Sequence, residues 1–435
     1  MPNIPKGTRD FLPPEQIERE IVIDKIKSVF RRWGFDPIET PTLEFYSTLM
    51  GKYGEEEKLV YKLQDYGGRD LGLRYDLTVP LARFFSDYQN EIIRPFKRYQ
   101  IQPVFRAEKP QKGRYREFYQ CDIDIVGSKN WVADVTVILT IDSALKEVGL
   151  KNAVFKINDR RVLKSLVKSW GAEDRGIEIV RAIDKLEKIG AAGVREQLTR
   201  ANFDDEVVDA VISIISTKPN LTQLGEILKD DSFKIARDEL LVIFEYLEKF
   251  GVNFEFDVSL ARGLDYYTGV IFEVRAVGIE IGSIAGGGRY DNLIEAPKGC
   301  KIPAVGGSIG IDRLLVALKE FSSTNQRKTW ANILIALADY DKETIIYAFE
   351  TARKLQELGY NVDIYSGNKD LKEQLKYAND KGIEITVIIG RNELENKNLT
   401  VKFMSQRYQI EIAESEIETT FRPRKSEMSG TFSNS

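Results

Sequence analysis

Between about residues 160 and 250 the chain loses the strand patterns it carries on either side, and this interruption constrains its fold more than any other feature. The stretch is rich in charge and divides into several helices, with breaks at Gly190 and at Lys218-Pro219-Asn220. Before it, residues 99–107 and 118–126 read as two strands joined by a long loop, and 153–157 as a third. After it, strand signals resume at 254–260, 269–277 and 280–284, followed by a turn at Gly286-Gly287-Gly288. A helical block between two sets of strands is an insertion in a β-rich domain. The expected division is a core of residues 1–159 and 251–321 with the insertion at 160–250.

Helical spacing of Val22, Ile26, Val29, Phe30 and Trp33 predicts a helix over 15–33 that ends at Gly34. Residues 36–43 read as extended, with Pro41 at a strand boundary. Residues 61–64 and 71–73 flank Asp65-Tyr66-Gly67-Gly68 as a hairpin, and a helix starts at Thr78 and runs to 85. A further helix spans 134–148, and a strand at 305–308 leads into a helix over 310–321. Beyond a polar linker the pattern changes again. Strands at 332–337, 361–365 and 384–389 alternate with helices at 342–358 and 371–381, which predicts a separate α/β domain at 329–422 with a mostly parallel sheet. The serine-rich residues 423–435 read as a flexible tail.

None of the 435 residues is a histidine, which excludes every mechanism built on an imidazole base or an imidazole–metal bond. Chemistry here must use carboxylates, guanidiniums, amines, hydroxyls, backbone amides or a metal held by oxygen. Lys and Arg number 63 against 67 Asp and Glu, a near balance that argues against non-specific coating of nucleic acid. No apolar run is long enough to span a membrane, and the first twenty or so residues lack the apolar stretch of a secretory signal. The two cysteines, Cys121 and Cys300, read as reduced thiols of a cytoplasmic protein. Local charge is less even. From Arg94 to Arg116 eight basic residues (Arg94, Lys97, Arg98, Arg106, Lys109, Lys112, Arg114, Arg116) face the single Glu108, which suits either a polyanion or a solvated basic edge.

Three constellations carry chemistry. In the first, Arg106 stands at a strand end with Glu108 two residues on, and Phe118 returns on the partner strand. These offer a phosphate clamp, an acceptor for a purine edge and a ring for a purine to stack on. Alone, Arg-x-Glu is more often a cross-strand salt bridge. The second is Gly306-Gly307-Ser308-Ile309-Gly310-Ile311-Asp312-Arg313, a strand leading through glycines into a helix start that favours anions but lacks the ending of a Walker loop. The third joins Ala261-Arg262-Gly263-Leu264-Asp265-Tyr266-Tyr267-Thr268-Gly269 with Gly286-Gly287-Gly288-Arg289-Tyr290-Asp291. Tyrosines beside glycines suit a small pocket with aromatic walls, or simply core.

Together, an Arg-x-Glu hairpin followed far downstream by Gly-x-x-x-Gly-Ile-Asp-Arg resembles motifs 2 and 3 of the class II aminoacyl-tRNA synthetases. The helix followed by Pro41 resembles their dimer-forming motif 1. Lys6-Gly7-Thr8-Arg9-Asp10, Leu73-Arg74-Tyr75-Asp76-Leu77-Thr78, Arg114-Tyr115-Arg116-Glu117-Phe118-Tyr119-Gln120 and Arg262-Gly263-Leu264-Asp265-Tyr266-Tyr267 are similar to the histidyl-tRNA synthetases within that class. Asp76 and Asp122-Ile123-Asp124 look more like the archaeal and eukaryotic branch.

The resemblance implies an α+β fold: an antiparallel-sheet catalytic core with a helical insertion, plus a C-terminal α/β anticodon-binding domain. It implies ATP and L-histidine as substrates, Mg²⁺ as cofactor, tRNA(His) as partner, no membrane, and a homodimer. Arg106 and Arg262 would act on the α-phosphate from opposite sides. Glu108 would accept from the adenine amino group, Phe118 would stack on the purine, and Arg114 and Arg313 would clamp the β- and γ-phosphates. Asp76, Thr78 and Gln120 would bind the α-amino group of histidine. Asp124 and Tyr267 would meet the two imidazole nitrogens, with Tyr266 and Tyr290 lining the same pocket. Departures from the family are Gly286, a third glycine that would loosen its turn, and Asp159, where relatives often place histidine. The competing reading is a non-catalytic regulatory relative, but such proteins typically lose the anticodon domain and the Arg-Gly-Leu-Asp-Tyr-Tyr motif.

Overall fold

The computed structural model describes residues 3–111, 113–261, 266–296, 299–321, 327–406 and 408–422. The expected tail at 423–435 and most of the expected linker lie outside the described residues. The chain divides into two compact units, residues 1–9 with 25–323 and residues 10–24 with 324–435.

The first unit is built on an eight-stranded sheet. In chain order its strands are β1 (Asp36–Pro37), β2 (Phe96–Phe105), β3 (Glu117–Val126), β4 (Ala153–Asp159), β5 (Phe254–Phe256), β6 (Val270–Ala276), β7 (Ala285–Arg289) and β8 (Ala304–Gly310). In space they run β1-β2-β3-β8-β7-β6-β4-β5. The six strands from β2 to β4 in this order pair antiparallel, and only the edge pairs β1·β2 and β4·β5 are parallel. A smaller antiparallel sheet joins Leu43–Phe45, Asp70–Leu73 and Lys62–Gln64, which bears out the hairpin read around Asp65.

Helix α1 (Pro13–Arg32) stops where expected: Gly34 takes φ +74°, and Phe35 N–H reaches back to Phe30 O at 3.0 Å. Helix α2 (Thr78–Tyr88) begins against the Asp76 carboxylate, whose Oδ1 accepts from Val79 N–H at 3.0 Å. Helix α3 (Trp131–Glu147) buries most of its length, including Val137, Ile138 and Ile141. It packs on the face of the sheet that carries Gly307. Helix α4 (Ile311–Phe321) continues directly from β8.

Two expectations fail here. No strand forms over 280–284, and Gly286-Gly287-Gly288 is not a turn but the middle of β7. The glycines serve close approach of strands rather than chain reversal. Gly286, Gly287 and Gly288 pair with Ser308, Gly307 and Gly306 of β8, and a Cβ at Gly307 would stand 2.5 Å from Ile141 Cδ1. The expected loosening by Gly286 is therefore withdrawn. The strand expected over 254–260 also shortens to β5, because Asp257 Oδ1 accepts from Ser259 N–H at 3.0 Å and turns the chain.

Residues 160–249 form the helical insertion, from Arg160–Ser169 to Asp231–Lys249. Leu163, Val167, Ile179, Ile183, Val194, Leu198, Val211 and Ile215 make its core. Both expected breaks hold. Gly190 leaves helical geometry at φ 67°, and Lys218 turns left-handed before Asn220 caps the next helix in a reciprocal pair with Gln223. Asp159 caps Arg160–Ser169 through Arg161 N–H at 2.8 Å, a structural use for this departure from the family.

In the second unit, β9 (Ile333–Leu337), β10 (Val362–Ile364), β11 (Ile385–Ile389), β12 (Asn398–Phe403) and β13 (Tyr408–Ala413) form one sheet, ordered β10-β9-β11-β12-β13. The first three are parallel as expected; β12 and β13, unread in the sequence, add antiparallel to one edge. The helix Lys342–Glu357 covers it through Ala348, Ala352 and Leu355.

Candidate active site

The first unit holds a cleft of about 260 Å³ over the face of β3, β8 and β7. Strand alternation places Gln120, Asp122 and Asp124 of β3 on that face. Opposite them in register stand Gly310, Ser308 and Gly306 of β8. With glycine at two of these three positions the cleft has a floor of backbone. At Gly306 there is no room for anything larger, since a Cβ there would collide with the Asp124 carboxylate.

Of the thirteen residues singled out in the sequence, twelve line this cleft: Asp76, Thr78, Arg106, Glu108, Arg114, Phe118, Gln120, Asp124, Tyr266, Tyr267, Tyr290 and Arg313. Arg262 lies outside the described residues, as does Lys112. The sequence reading gave no role to Tyr115, Asp122, Ser308 and Asp312, which its motifs contain, and missed Glu56 and Ser283; all six also line the cleft. Asp122 could have been found from its two-residue spacing to Gln120 and Asp124. Glu56 carries no such signal.

One end of the cleft is cationic. Arg106 and Glu108 stand just beyond β2 rather than within it. The Arg106 Nε–H donates to Tyr75 O at 3.1 Å, and its guanidinium lies 4.3 Å from the Tyr75 ring centroid and 5.1 Å from that of Phe118. Arg313 donates from Nε to Gly113 O at 3.2 Å and from Nη1 to Ser283 O at 2.8 Å. Burial, with Arg114 and Arg106 nearby, lowers its pKa from the usual guanidinium value. Arg114 pairs with Glu108 through both guanidinium arms, one at 2.7 Å. The purine-edge acceptor and one phosphate clamp of the sequence reading are thus held by each other.

The N-terminal segment braces this loop. Arg116 N–H donates to Gly7 O at 2.8 Å, and Arg9 stacks over Tyr115 at 3.5 Å while pairing with Asp312. The basic run at 94–116 is not one patch. Lys97 donates to Trp33 O, Arg98 is fully buried, and Arg116 serves Gly7 and Glu108 O; of the described basic residues in that run, Arg106 and Arg114 line the cleft.

The other end is acidic. Asp76, Asp122 and Asp124 are each 3% exposed. Arg98 Nη2 lies 2.6 Å from Asp124 Oδ2, and the Tyr290 hydroxyl donates to Asp124 Oδ1. The Tyr53 hydroxyl donates to Asp76 Oδ1 at 3.0 Å, leaving Asp76 Oδ2 without a partner. Gln120 Nε2 donates to Ser308 Oγ at 3.1 Å, leaving Gln120 Oε1 unpartnered too. Burial raises the carboxyl pKa of all three aspartates, that of Asp122 to about 7. The rings of Tyr266 and Tyr267 lie 4.9 Å apart, and Tyr266 meets Tyr290 edge-on at 5.8 Å, forming an aromatic wall. Two cysteines are free thiols, Cys121 buried and Cys300 exposed, and no described helix is long and apolar enough to cross a membrane.

An antiparallel sheet whose motif 2 hairpin and glycine-bounded helix start meet over such a cleft defines the class II aminoacyl-tRNA synthetase fold. Residues 7–314 match the family described as histidyl-tRNA synthetase, and 332–424 match the anticodon binding domain. The chain belongs to the histidyl-tRNA synthetase family. It is 40% identical over 434 residues to the histidine–tRNA ligase of Phocaeicola vulgatus, covering 93% of this chain and 95% of that one. To the histidine–tRNA ligase of Korarchaeum cryptofilum it is 39% identical, covering 95% and 97%. The crystal structure of histidyl-tRNA synthetase from Nostoc sp. PCC 7120 superimposes with a TM-score of 0.83 at 30% identity, covering 97% and 98%.

Proposed function

We propose that the cleft activates L-histidine with ATP, giving histidyl-adenylate and pyrophosphate, and that histidine then passes to the 3′ end of tRNA(His). As a member of its family the chain is a histidine–tRNA ligase. The observation that carries the residue assignment is the polarity of the cleft, with guanidiniums at one end and buried carboxylates at the other. A polyphosphate and an ammonium group would sort themselves to opposite ends, bringing the amino-acid carboxylate to the α-phosphate between them.

In this reading the substrate carboxylate attacks the α-phosphorus in line, one P–O bond forming as the bond to pyrophosphate breaks. A carboxylate is already a nucleophile at neutral pH, so no general base is needed and the lack of histidine costs nothing. Positioning and charge stabilisation are needed instead. Arg106 holds the α-phosphate, with Arg262 opposite, and Arg313 holds the β- and γ-phosphates. Glu108 and Arg114 separate, Glu108 turning to the adenine amino group over Phe118 and Arg114 to the phosphates. Asp76, Thr78 and Gln120 take the ammonium group. Asp124 and Tyr267 take the imidazole nitrogens beside Tyr266 and Tyr290. A ligand without a nitrogen donor would strand the Asp124 carboxylate, which penalises other amino acids.

No group of three acidic side chains that could cage a metal occurs among the described residues. That fits Mg²⁺ carried in on the nucleotide, since this ion usually takes its ligands from phosphates, waters and one or two carboxylates. When bound it would neutralise the departing pyrophosphate. The anticodon-binding unit and Lys109 and Lys112 of the motif 2 loop would engage tRNA, and the protein would work as a cytoplasmic homodimer. The crystal structure from Bacillus halodurans is described as an ATP phosphoribosyltransferase regulatory subunit/histidyl-tRNA synthetase, and it matches at 26% identity with a TM-score of 0.74. The anticodon-binding match at 332–424 and the retained Arg106 and Arg313 favour the ligase over a regulatory role.

Pyrophosphate exchange into ATP, run with each of the twenty amino acids separately, tests this. Exchange is expected with histidine alone and should be mostly lost in Arg262→Ala. Silence with all twenty from a folded protein would overturn the ligase reading.

A further inference from the structure

We propose that Asp122 is an acceptor for the ammonium group of the amino acid, taking beside Asp76 and Gln120 the place that the family resemblance gives to Thr78. The inference rests on the proposed function, because it extends the amino-acid end of the same cleft.

An ammonium group has three N–H donors and no acceptor, so a dry site must supply three acceptor atoms. Four side-chain oxygens lining the cleft are buried and without a hydrogen-bond partner, Asp76 Oδ2, Gln120 Oε1, Asp122 Oδ1 and Asp124 Oδ2; the last lies 2.6 Å from Arg98 Nη2 and is engaged in that ion pair, which leaves three. Buried polar atoms are nearly always satisfied, and three unsatisfied acceptors lining one cleft call for a donor to meet them. Their chemistry agrees, since all three accept and none donates when the aspartates are ionised.

Position agrees as well. Gln120 and Asp122 are two apart on β3 and face the same side. Asp76 lies close enough to Asp122 to act on its charge. Ser308 ties the arrangement together, lying opposite Asp122 in register, accepting from Gln120 Nε2 at 3.1 Å and reaching the Asp122 carboxylate with its hydroxyl.

Charge points the same way. Asp122 and Asp124 share one nearby cation, Arg98, whose close ion pair is with Asp124, whereas the cation acting on Asp76 is Arg106. Asp122 is thus left with a distant share of a guanidinium already engaged. Putting a carboxylate in so dry a place carries a large desolvation cost, and a substrate cation offsets it.

Calorimetric titration of histidine into the protein without ATP, for the parent and for Asp122→Asn, tests the proposal. Loss of a charge-assisted hydrogen bond should weaken histidine binding about ten-fold or more. Histidinol, which keeps the ammonium group, should lose affinity alike. Imidazolepropionate, which lacks it, should change less than two-fold. Asp122→Ser, which removes the carboxylate and adds no bulk, serves as second variant. An unchanged KM for ATP in pyrophosphate exchange reports an intact cleft. Equal loss for histidinol and imidazolepropionate, or no loss for either, would overturn the proposal. Failure of the parent to exchange pyrophosphate would instead count against the ligase reading, because the titrations need no turnover.

Discussion

Burial holds the Asp122 carboxyl at about 7 in the folded chain against 3.8 when exposed, with Arg98 opposing and Asp124 and Asp76 reinforcing the rise. A carboxyl raised by folding binds its proton more tightly in the native state. Its contribution to stability is therefore full below the unfolded value and is lost as pH climbs through about 7. An ammonium ligand prefers the ionised form and draws that proton off. Histidine affinity should then rise between pH 6 and 8 more steeply in the parent than in Asp122→Asn, which lacks this carboxyl; calorimetry at both pH values measures the difference. The Asp134 carboxyl, raised to about 6 by burial, pairs with Arg289 on the opposite face and does not enter this balance. Gly306 tests the same pocket by bulk. Gly306→Ala would drive a methyl into Asp124, at a cost of about 1–3 kcal/mol for overpacking. Its KM for histidine in pyrophosphate exchange should rise at least ten-fold, while its KM for ATP stays near that of the parent.

Elements announced by periodicity or by a stop residue were the legible ones. Gly34, Gly190 and Lys218-Pro219-Asn220 each mark a real boundary, because a left-handed or kinked residue is a local requirement visible in one dimension. The cap at Asn220 should be measurable: Asn220→Ala is expected to lower stability by about 1 kcal/mol in denaturant unfolding, without changing histidine exchange. The illegible elements depend on partners distant in sequence. β7 reads as a turn from its glycines until β8 is set beside it, since glycine's role there is to let strands 20 residues apart interlock. β12 and β13 lie toward one edge of the sheet, pair antiparallel, and depend on β11 for their place. The site was legible where a motif fixed its spacing, as in Arg106-x-Glu108. It was illegible at Glu56 and Ser283, which only tertiary packing brings into the cleft. The Arg106-x-Glu108 reading had two branches, substrate contact and salt bridge. The structure takes the salt-bridge branch, with Arg114 across the hairpin loop as the partner of Glu108.

Across the whole molecule, one unit carries the cleft and the other the anticodon-binding match. Within the cleft the two ends answer to different reagents. Chelation of Mg²⁺ should abolish pyrophosphate exchange and leave calorimetric histidine binding within two-fold of its starting value, because the acidic end uses only groups of the protein itself. The Glu108–Arg114 pair has a consequence for ionic strength. A resting site that supplies its own counterion trades one ion pair for another when a polyanion arrives, and added salt weakens both sides of that exchange. ATP affinity should therefore fall with salt less steeply than three guanidiniums would dictate. Glu108→Gln should restore the steeper slope, whatever it does to affinity at a single ionic strength.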